Sequence, residues 1–416
     1  MDAWLRRTGG LLLWIAPSGA LAYSLALYIA NLLAWPANAS VREWWGSELA
    51  IRYCLGFVRR GLLGQASWLV SGWLGRQADY SLVLSLLMAI ATLGVGVALG
   101  TLLVRQCGWR LGLLILAAPA GWPVLLESAG ATFRKDPLQI LMGLLLLGLW
   151  RRGVRGRRPL QASLAWAALA GVEILAVLIH EPFSLLVLPT LAIAAFWTFR
   201  RLGAALLAIT PGLLALGAVI LHRGSALDVA CLSQDLQRLG LLAPGEAPGS
   251  SIRELALARP AYFTLDLGSS ELAWSLVHGL LMSLVVVLAY CLLLQRLNHG
   301  PTQSVPLLPA LRLWLLQLTL ALPVILTAVD YGRWIAMLFC SGLGLILICG
   351  SILRTSSELS PLQIPPAPCR GGLAALELTL LPSGCCTYAL AQIVAVIPYA
   401  AASHWKALLL RWLAQS

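Results

Sequence analysis

The chain has few charged side chains for its length of 416 residues. Aspartate, glutamate, lysine and arginine make up 11% of it, against 59% hydrophobic residues and a mean hydropathy of +0.84. So little charge excludes a soluble globular protein. The composition instead predicts one integral membrane domain, 1–416, built from transmembrane helices.

Lysine is almost absent. Of 29 basic residues only Lys135 and Lys406 are lysines, and the others are arginines that lie between apolar runs. A protein that binds nucleic acid would carry its basic residues along a soluble polar surface, so no nucleic-acid partner is predicted. Membrane topology and contact with anionic lipid account better for the net charge of +12.

Other common signals are also missing. The first apolar run, 11–35, is long enough to span and has no small-residue cleavage site after it, which favours a signal anchor over a cleaved signal peptide. The nine cysteines lack metal-ligand spacing, and Cys231, in the longest polar loop, has no obvious partner there. No repeat of solenoid period occurs. No cofactor is predicted, and a requirement for a divalent metal is left open.

Apolar runs predict an all-α bundle of about eleven membrane spans. They lie near 11–35, 80–104, 111–127, 137–150, 161–179, 182–199, 204–221, 272–295, 308–328, 335–353 and 375–399. Because arginine-rich loops stay in the cytoplasm, the five arginines of 151–158 place the N-terminus there as well. We expect the inner (plasma) membrane of a bacterium.

Three segments between the spans have some length. The first external segment, 36–79, is predicted to hold an amphipathic helix over 43–57 and an interfacial or re-entrant helix over 61–74. The second, 222–271, is predicted to be an external loop, with a helix-like stretch from Ser251 to Ala256. The Ser/Pro-rich stretch 355–374 is predicted to be a cytoplasmic linker.

Four charged clusters border apolar runs on the predicted external face. Charges beside a bilayer are costly and are kept mainly where they pair, line a wet cavity or do chemistry. We therefore expect them to meet in one pocket. The clusters are Arg59 with Arg60, Arg134 with Lys135 and Asp136, His180 with Glu181, and Asp330 with Arg333 and Trp334.

The residue types suit a phosphorylated sugar substrate. Arginine and lysine bind phosphate oxygens, which makes Arg59, Arg60, Arg134, Lys135 and Arg333 candidate substrate-binding residues. A histidine or carboxylate can act as acid or base. The candidate catalytic residues are His180, Glu181, Asp330 and, from the first external segment, Glu48. Trp334 can offer an aromatic surface to a sugar.

Each cluster also has a plain structural explanation. Arg59 and Arg60 can snorkel to lipid phosphates. Asp136, followed by Pro137, can cap a helix and offset its dipole. His180 and Glu181 can simply be the polar residues of a tight turn between two helices. Asp330 and Arg333 can tie two helix ends together.

Glu173 is the acid placed deepest in a predicted span. In the membrane it should be neutral or paired. It precedes His180 by seven residues, two helical turns, so both side chains are predicted to lie on one helix face and to point to the same cavity.

These residues resemble a known pattern. Arg134 near the start of a span, a basic inside loop and a span that closes at His180 resemble the EpsG/Wzy-type polysaccharide polymerases, whose membrane fold is similar to that of the GT-C glycosyltransferases. Lys135 and Asp136 stand where that family has glutamine. The acidic and aromatic stretch of its first external loop is reduced here to 43–48. The resemblance implies a GT-C-like bundle, a polyprenyl-linked sugar donor, a glycan acceptor and transfer on the external face.

The sequence thus predicts a membrane glycosyltransferase or glycan polymerase that uses a polyprenyl-(pyro)phosphate donor. Membrane lipid, the lipid-linked donor and a glycan acceptor are the expected partners. One alternative is a proton-coupled transporter or lipid flippase, in which acids relay protons while the arginines guide an anion. A noncatalytic membrane scaffold is a further alternative.

Overall fold

The computed structural model describes residues 18–19, 21–33, 44–75, 80–118, 120–127, 134–156, 158–222, 224–257, 270–297, 307–325 and 331–350. Within these ranges the chain is helical and no strand occurs, which confirms the all-α class. The predicted span 375–399, the linker 355–374 and Asp330 lie outside the described residues.

Sixteen α-helices are used below, numbered in chain order within the described ranges. They are α1 (Leu21–Leu33), α2 (Trp44–Ala50), α3 (Gly61–Trp73), α4 (Tyr80–Cys107), α5 (Trp109–Leu116), α6 (Trp122–Glu127), α7 (Asp136–Arg155), α8 (Pro159–Ile179), α9 (Phe183–Leu186), α10 (Leu188–Phe199), α11 (Leu202–Leu221), α12 (Ala226–Arg238), α13 (Ser250–Arg253), α14 (Ser270–Leu297), α15 (Leu307–Ile325) and α16 (Tyr331–Gly344).

Five helices are long and apolar enough to cross a membrane, so the protein is an integral membrane protein. They are Val83–Cys107, Pro159–Ile179, Leu202–Leu221, Gly279–Leu297 and Leu307–Ile325, and each coincides with a predicted span. The eleven-span, GT-C-like bundle stays a prediction. Two predicted spans are interrupted: 111–127 forms α5 and α6, and 182–199 forms α9 and α10. In the second, Pro189 has no N–H to continue the helical hydrogen bonds.

Helices α7 and α8 form an antiparallel pair that leads to the charged end of the bundle. The turn between them is short, and proline occupies an early position in both helices, where the missing N–H costs no hydrogen bond. At the far end the Trp150 ring lies edge-on to Trp166 and Phe199, with ring centroids 5.0 and 5.7 Å apart. These aromatic contacts hold α7, α8 and α10 together.

The remaining long helices are joined by a buried polar contact. The Tyr290 hydroxyl on α14 donates to Gln317 Oε1 on α15 at 3.0 Å, and the Gln317 amide donates to the Leu338 carbonyl of α16 at 3.0 Å. Because the groups satisfy one another, they can be buried at acceptable cost. They set the position of α16, whose first turn carries Arg333.

The two predicted external segments pack on each other as a small cap. Apolar residues from both, including Ile51, Val58, Leu232 and Ile252, form a separate buried cluster. Residues 222–271 are therefore more than a loop. Their described part contains α12, with a capping box at Ser225, and α13, followed by a 3-10 turn, Glu254–Ala256. This turn confirms the helix-like stretch predicted from Ser251 to Ala256.

The cap is also crosslinked. Cys54 forms a disulfide with Cys231, 177 residues away, and Arg52 forms an ion pair with Asp235 on α12. The Arg52 guanidinium lies 3.9 Å from the centre of the Trp68 ring of α3. Cys231 has no cysteine partner within its own segment, as the sequence indicates, and its partner comes from the other external segment.

Helix α2 is shorter than predicted. It ends at Ala50, and residues 51–60 run as an irregular segment up to α3. The predicted helix 43–57 is therefore wrong beyond Ala50. The irregular segment carries both Cys54 and Arg60, so it joins the crosslinked cap to the charged site.

Candidate functional site

Several helix ends converge at one end of the bundle. Helix α8 ends beside the start of α7. The two ends are joined by a hydrogen bond in which the Gln139 amide of α7 donates to the backbone carbonyl of His180 at 2.8 Å. Helices α2, α3 and α16 bring Glu48, Arg60 and Arg333 to the same place. We call the seven residues that meet there the charged cluster: Glu48, Arg60, Lys135, Asp136, His180, Glu181 and Arg333.

Glu48 lies among the cations of the cluster. Its Oε1 is 3.5 Å from His180 Nδ1, 3.8 Å from Arg60 Nη1 and 3.9 Å from Lys135 Nζ. Burial by itself raises the pKa of this carboxyl, but the charges of His180, Lys135, Arg60 and Arg333 together outweigh burial and lower the pKa to about 2. Glu48 is therefore a carboxylate at neutral pH.

Arg60 grips Glu181 with two of its nitrogens. Nε donates to both carboxylate oxygens at 2.9 Å and Nη2 donates to Oε1 at 2.6 Å. Burial opposes ionisation of Glu181, yet the charge of Arg60, the nearby His180 and the hydrogen bonds from Arg60 hold its pKa well below the usual range. Glu181 is the more accessible partner, with 21% of its side chain exposed against 10% for Arg60.

Arg60 has a left-handed backbone. Its φ is 64° at the residue that caps the start of α3. A residue with a Cβ adopts this conformation only when its surroundings compensate for the cost, and such residues gather at functional sites. Here the backbone carbonyl of Arg60 accepts from Lys135 Nζ at 3.3 Å, and the side chain is held by Glu181.

Lys135 is a buried residue that stabilises the backbone around the site. It is 1% exposed, and its ammonium donates to the carbonyls of Glu48 and Arg60 at 3.4 and 3.3 Å. Burial lowers its pKa to about 8, against the raising effect of the nearby carboxylates. Backbone carbonyls take two of the three ammonium donors of Lys135, and its role in binding substrate stays a prediction.

Asp136 joins two sides of the site. Its Oδ2 is 3.3 Å from Arg333 Nε, and its Oδ1 is 4.0 Å from His180 Nε2. The predicted capping role is wrong in detail: α7 begins at Asp136, the cap position belongs to Lys135, and no side-chain capping bond forms there. A carboxylate in the first turn still offsets the helix dipole.

The other candidate residues lie at the edge or elsewhere. Arg59 turns toward the cap and donates to the Glu254 carbonyl at 2.9 Å. Arg134 adjoins the cluster and is partly exposed. Trp334 is 4% exposed and belongs to the bundle core, so the predicted aromatic surface for a sugar is wrong for this residue. Asp330 is outside the described residues.

Glu173 lies on α8, but its contacts lead away from the charged cluster. The side chain is fully buried and Oε2 accepts the Gly212 N–H of α11 at 3.0 Å, next to Pro211 within that helix. A Cβ on Gly212 would lie 3.3 Å from this oxygen, so glycine allows the close approach. Within the described ranges, no charged group lies within ion-pair distance of Glu173.

Sequence reasoning missed Gln139 and the disulfide. Gln139 is fully buried, and its polar side chain four residues after Lys135 in an apolar run was an available signal. For the disulfide the signal was topological: Cys54 and Cys231 are the only cysteines in the two predicted external segments.

One group of side chains in the described ranges has the proximity of metal ligands. The ligand atoms of Cys54, Cys231 and Asp235 lie within 4.8 Å of one another. Both sulfurs are joined in the disulfide and Asp235 pairs with Arg52, so the group is poorly suited to a metal. The charged cluster, not this group, is the candidate functional site.

Comparison of the chain with protein-family models, with curated proteins and with solved structures found no match.

Proposed function

We propose that this protein is a membrane glycosyltransferase or glycan polymerase that takes a sugar or oligosaccharide from a polyprenyl-(pyro)phosphate donor on the external face of a bacterial inner membrane. The observation that carries the proposal is the meeting of Arg60, His180, Glu181, Glu48 and Arg333 within one cluster. These residues come from distant parts of the chain and include both phosphate-binding and acid–base side chains.

The disulfide supports the external placement. Disulfides persist in oxidising compartments and are rare in the cytosol. The irregular segment that carries Cys54 also carries Arg60, which places the charged cluster on the same side as the disulfide. This side is the one that arginine placement predicts to be external, with the N-terminus in the cytoplasm.

The partly exposed residues suggest how a donor would enter. Arg333 and Glu181 have 20% and 21% of their side chains exposed, whereas Lys135 and Asp136 are almost fully buried. A donor phosphate that approaches this edge can compete with Glu181 for the guanidinium of Arg60. Glu181 would then lose the partner that most strongly favours its ionised form and become a better base.

The reaction follows from that exchange. Glu181 accepts the proton of an acceptor hydroxyl, whose oxygen forms the new bond to the anomeric carbon of the donor sugar. The bond from that carbon to the phosphate oxygen breaks, and its electron pair leaves on the phosphate. Arg60 and Arg333 stabilise the charge that develops there. Glu48 is more deeply buried and surrounded by cations, so it organises the site rather than acting as the base.

Transfer of radiolabelled sugar tests this proposal. The full-length protein in lipid nanodiscs is supplied with a panel of polyprenyl-phosphate and polyprenyl-pyrophosphate sugars and candidate glycan acceptors. We expect Arg60→Ala and Arg333→Ala to lower turnover by about 100-fold or more, as for the loss of a group that stabilises developing charge. Arg110→Ala is the matched control, because Arg110 is exposed and lies on α5, outside the cluster. Normal turnover by Arg60→Ala would remove the mechanism.

A proton-coupled transporter is the second candidate, and Glu173 favours it. A fully buried carboxyl beside a proline in a neighbouring spanning helix is a plausible proton-binding group. Uptake of an anion into proteoliposomes that is driven by a proton gradient and abolished by Glu173→Gln would support transport. Sugar transfer that is unaffected by the same substitution would support the glycosyltransferase.

A further inference from the structure

The charged cluster is electrically balanced. It contains three carboxylates, Glu48, Asp136 and Glu181, and three basic side chains, Arg60, Lys135 and Arg333. Most of these groups are buried, and net charge in a poorly solvated site is costly. An anion that binds there brings negative charge that these six residues do not offset.

His180 is placed to supply the missing positive charge. Its Nδ1 is 3.5 Å from Glu48 Oε1 and 3.7 Å from Glu181 Oε2, and its Nε2 is 4.0 Å from Asp136 Oδ1. Both ring nitrogens thus face carboxylates, and only 6% of the side chain is exposed. Its backbone is held by bonds to Gln139 and Ala176, so the ring has a defined position.

The carboxylates of Glu48 and Glu181 do not change charge near neutral pH, because the pKa of Glu48 is about 2 and that of Glu181 is well below its usual range. Lys135, with a pKa of about 8, is mostly charged up to about pH 7 and begins to lose its proton above it. The guanidinium groups of Arg60 and Arg333 stay charged. Histidine is the side chain that ordinarily changes charge between about pH 5 and 8.

We propose that the charged cluster binds a tetrahedral oxyanion, such as the phosphate of a lipid-linked sugar, together with one proton, and that His180 carries this proton. The proposal rests on the phosphate site of the proposed function. In this proposal the positively charged ring lies between the carboxylates of Glu48, Asp136 and Glu181. Their negative charges stabilise it when the phosphate draws Arg60 away from Glu181. Binding of the anion and protonation of His180 then strengthen each other.

Sulfate is the probe, because it does not titrate in the range used. Calorimetric titration of the full-length protein in nanodiscs, in buffers of different ionisation heat, counts the protons taken up. Between about pH 5.5 and 7, where Lys135 stays mostly charged, we expect uptake of up to one proton per sulfate. The affinity for sulfate should fall by up to about tenfold for each unit that the pH rises. His180→Gln should abolish both. His222→Gln, which changes an exposed histidine outside the cluster, should change neither.

The outcomes separate this inference from the proposed function. Sulfate binding by the unmodified protein with no proton uptake overturns the inference and leaves a phosphate site in place, and this measurement does not depend on whether His180→Gln folds. If neither sulfate, nor inorganic pyrophosphate, nor polyprenyl phosphate binds at any pH, the phosphate site of the proposed function fails as well.

A competition arm identifies the source of the anion. Displacement of sulfate by polyprenyl phosphate in the nanodisc, and not by phosphatidylglycerol, supports a lipid-linked phosphate. Displacement by inorganic pyrophosphate alone overturns the lipid-linked part of the proposal while proton coupling stands.

Discussion

Arg60 holds Glu181 through hydrogen bonds of 2.6 to 2.9 Å although 121 positions separate the two residues in the chain. The pair joins the irregular segment before α3 to the turn after α8. The pair also lies at the exposed edge of the cluster, because Glu181 is partly exposed. Both the stability of this region and any exchange with a phosphate therefore depend on it.

Removal of both partners should cost less stability than the two single removals added together. Arg60→Ala leaves the Glu181 carboxylate without its guanidinium, and we expect a loss of about 2–3 kcal/mol, below the range for fully buried pairs because Glu181 keeps some hydration. The double variant Arg60→Ala, Glu181→Ala should lose less than the sum of the two single variants. Thermal unfolding in nanodiscs measures all four proteins. Strictly additive losses would mean that the pair is not coupled.

The left-handed backbone conformation of Arg60 leads to a separate prediction. Its φ of 64° costs alanine about 1 kcal/mol or more and costs glycine much less. Arg60→Gly should therefore unfold at a higher temperature than Arg60→Ala, while both lose sugar transfer and sulfate binding equally. Equal stability of the two variants would show that the segment changes conformation when the side chain is removed.

Acid should lower the free energy of unfolding, because Glu48 loses its charge. Its pKa is about 2 in the folded protein and 4.5 in its reference state, so the unfolded chain takes up the proton first as pH falls. The associated stability is present above about pH 4.5 and is lost as pH falls toward 2, on the order of 3 kcal/mol in total. At neutral pH, Glu48→Gln should unfold at a lower temperature than the unmodified protein. As the pH falls from about 4.5 toward 2, its unfolding temperature should fall less than that of the unmodified protein. An identical acid response in both proteins contradicts the assignment.

The Cys54–Cys231 disulfide should be accessible from outside the cell. In intact spheroplasts, a membrane-impermeant reductant followed by a membrane-impermeant maleimide should label the protein. The double variant Cys54→Ser, Cys231→Ser should not be labelled under these conditions and should unfold at a lower temperature, with a loss of about 2–4 kcal/mol. Labelling that appears only after the membrane is permeabilised would place the cap, and the charged cluster with it, in the cytoplasm.

Glu173 should be needed as a hydrogen-bond acceptor. Glu173→Gln keeps an acceptor oxygen for the Gly212 N–H and should stay close to the unmodified protein in stability, whereas Glu173→Leu should lose about 1–3 kcal/mol. Gly212→Ala should also destabilise, by about 1–3 kcal/mol, because its Cβ would lie 2.4 Å from Leu188 Cδ1. Thermal unfolding compares the three variants. Equal losses for Gln and Leu would exclude the hydrogen bond as the cause.

Much of the candidate site was predictable because charge near a membrane is conspicuous. Arg60, His180, Glu181 and Arg333 stand out in apolar surroundings, and topology placed them on one side. Which of them touch was not predictable. Arg59 and Arg60 are neighbours in sequence, yet Arg59 donates to Glu254 of the cap and Arg60 donates to Glu181.

The amino-acid sequence by itself determined that the chain is helical, that it belongs in a membrane and that its rare charges border the spans. These features can be predicted because they depend on the free energy of transferring side chains between water and lipid. That free energy depends on the composition of each segment and not on which other segments it contacts. Tertiary structure decided the rest: the pairing of Cys54 with Cys231, the balance of charges around His180 and the contact of Glu173 with Gly212. Those relationships depend on how helices far apart in sequence pack, and no local pattern encodes that packing.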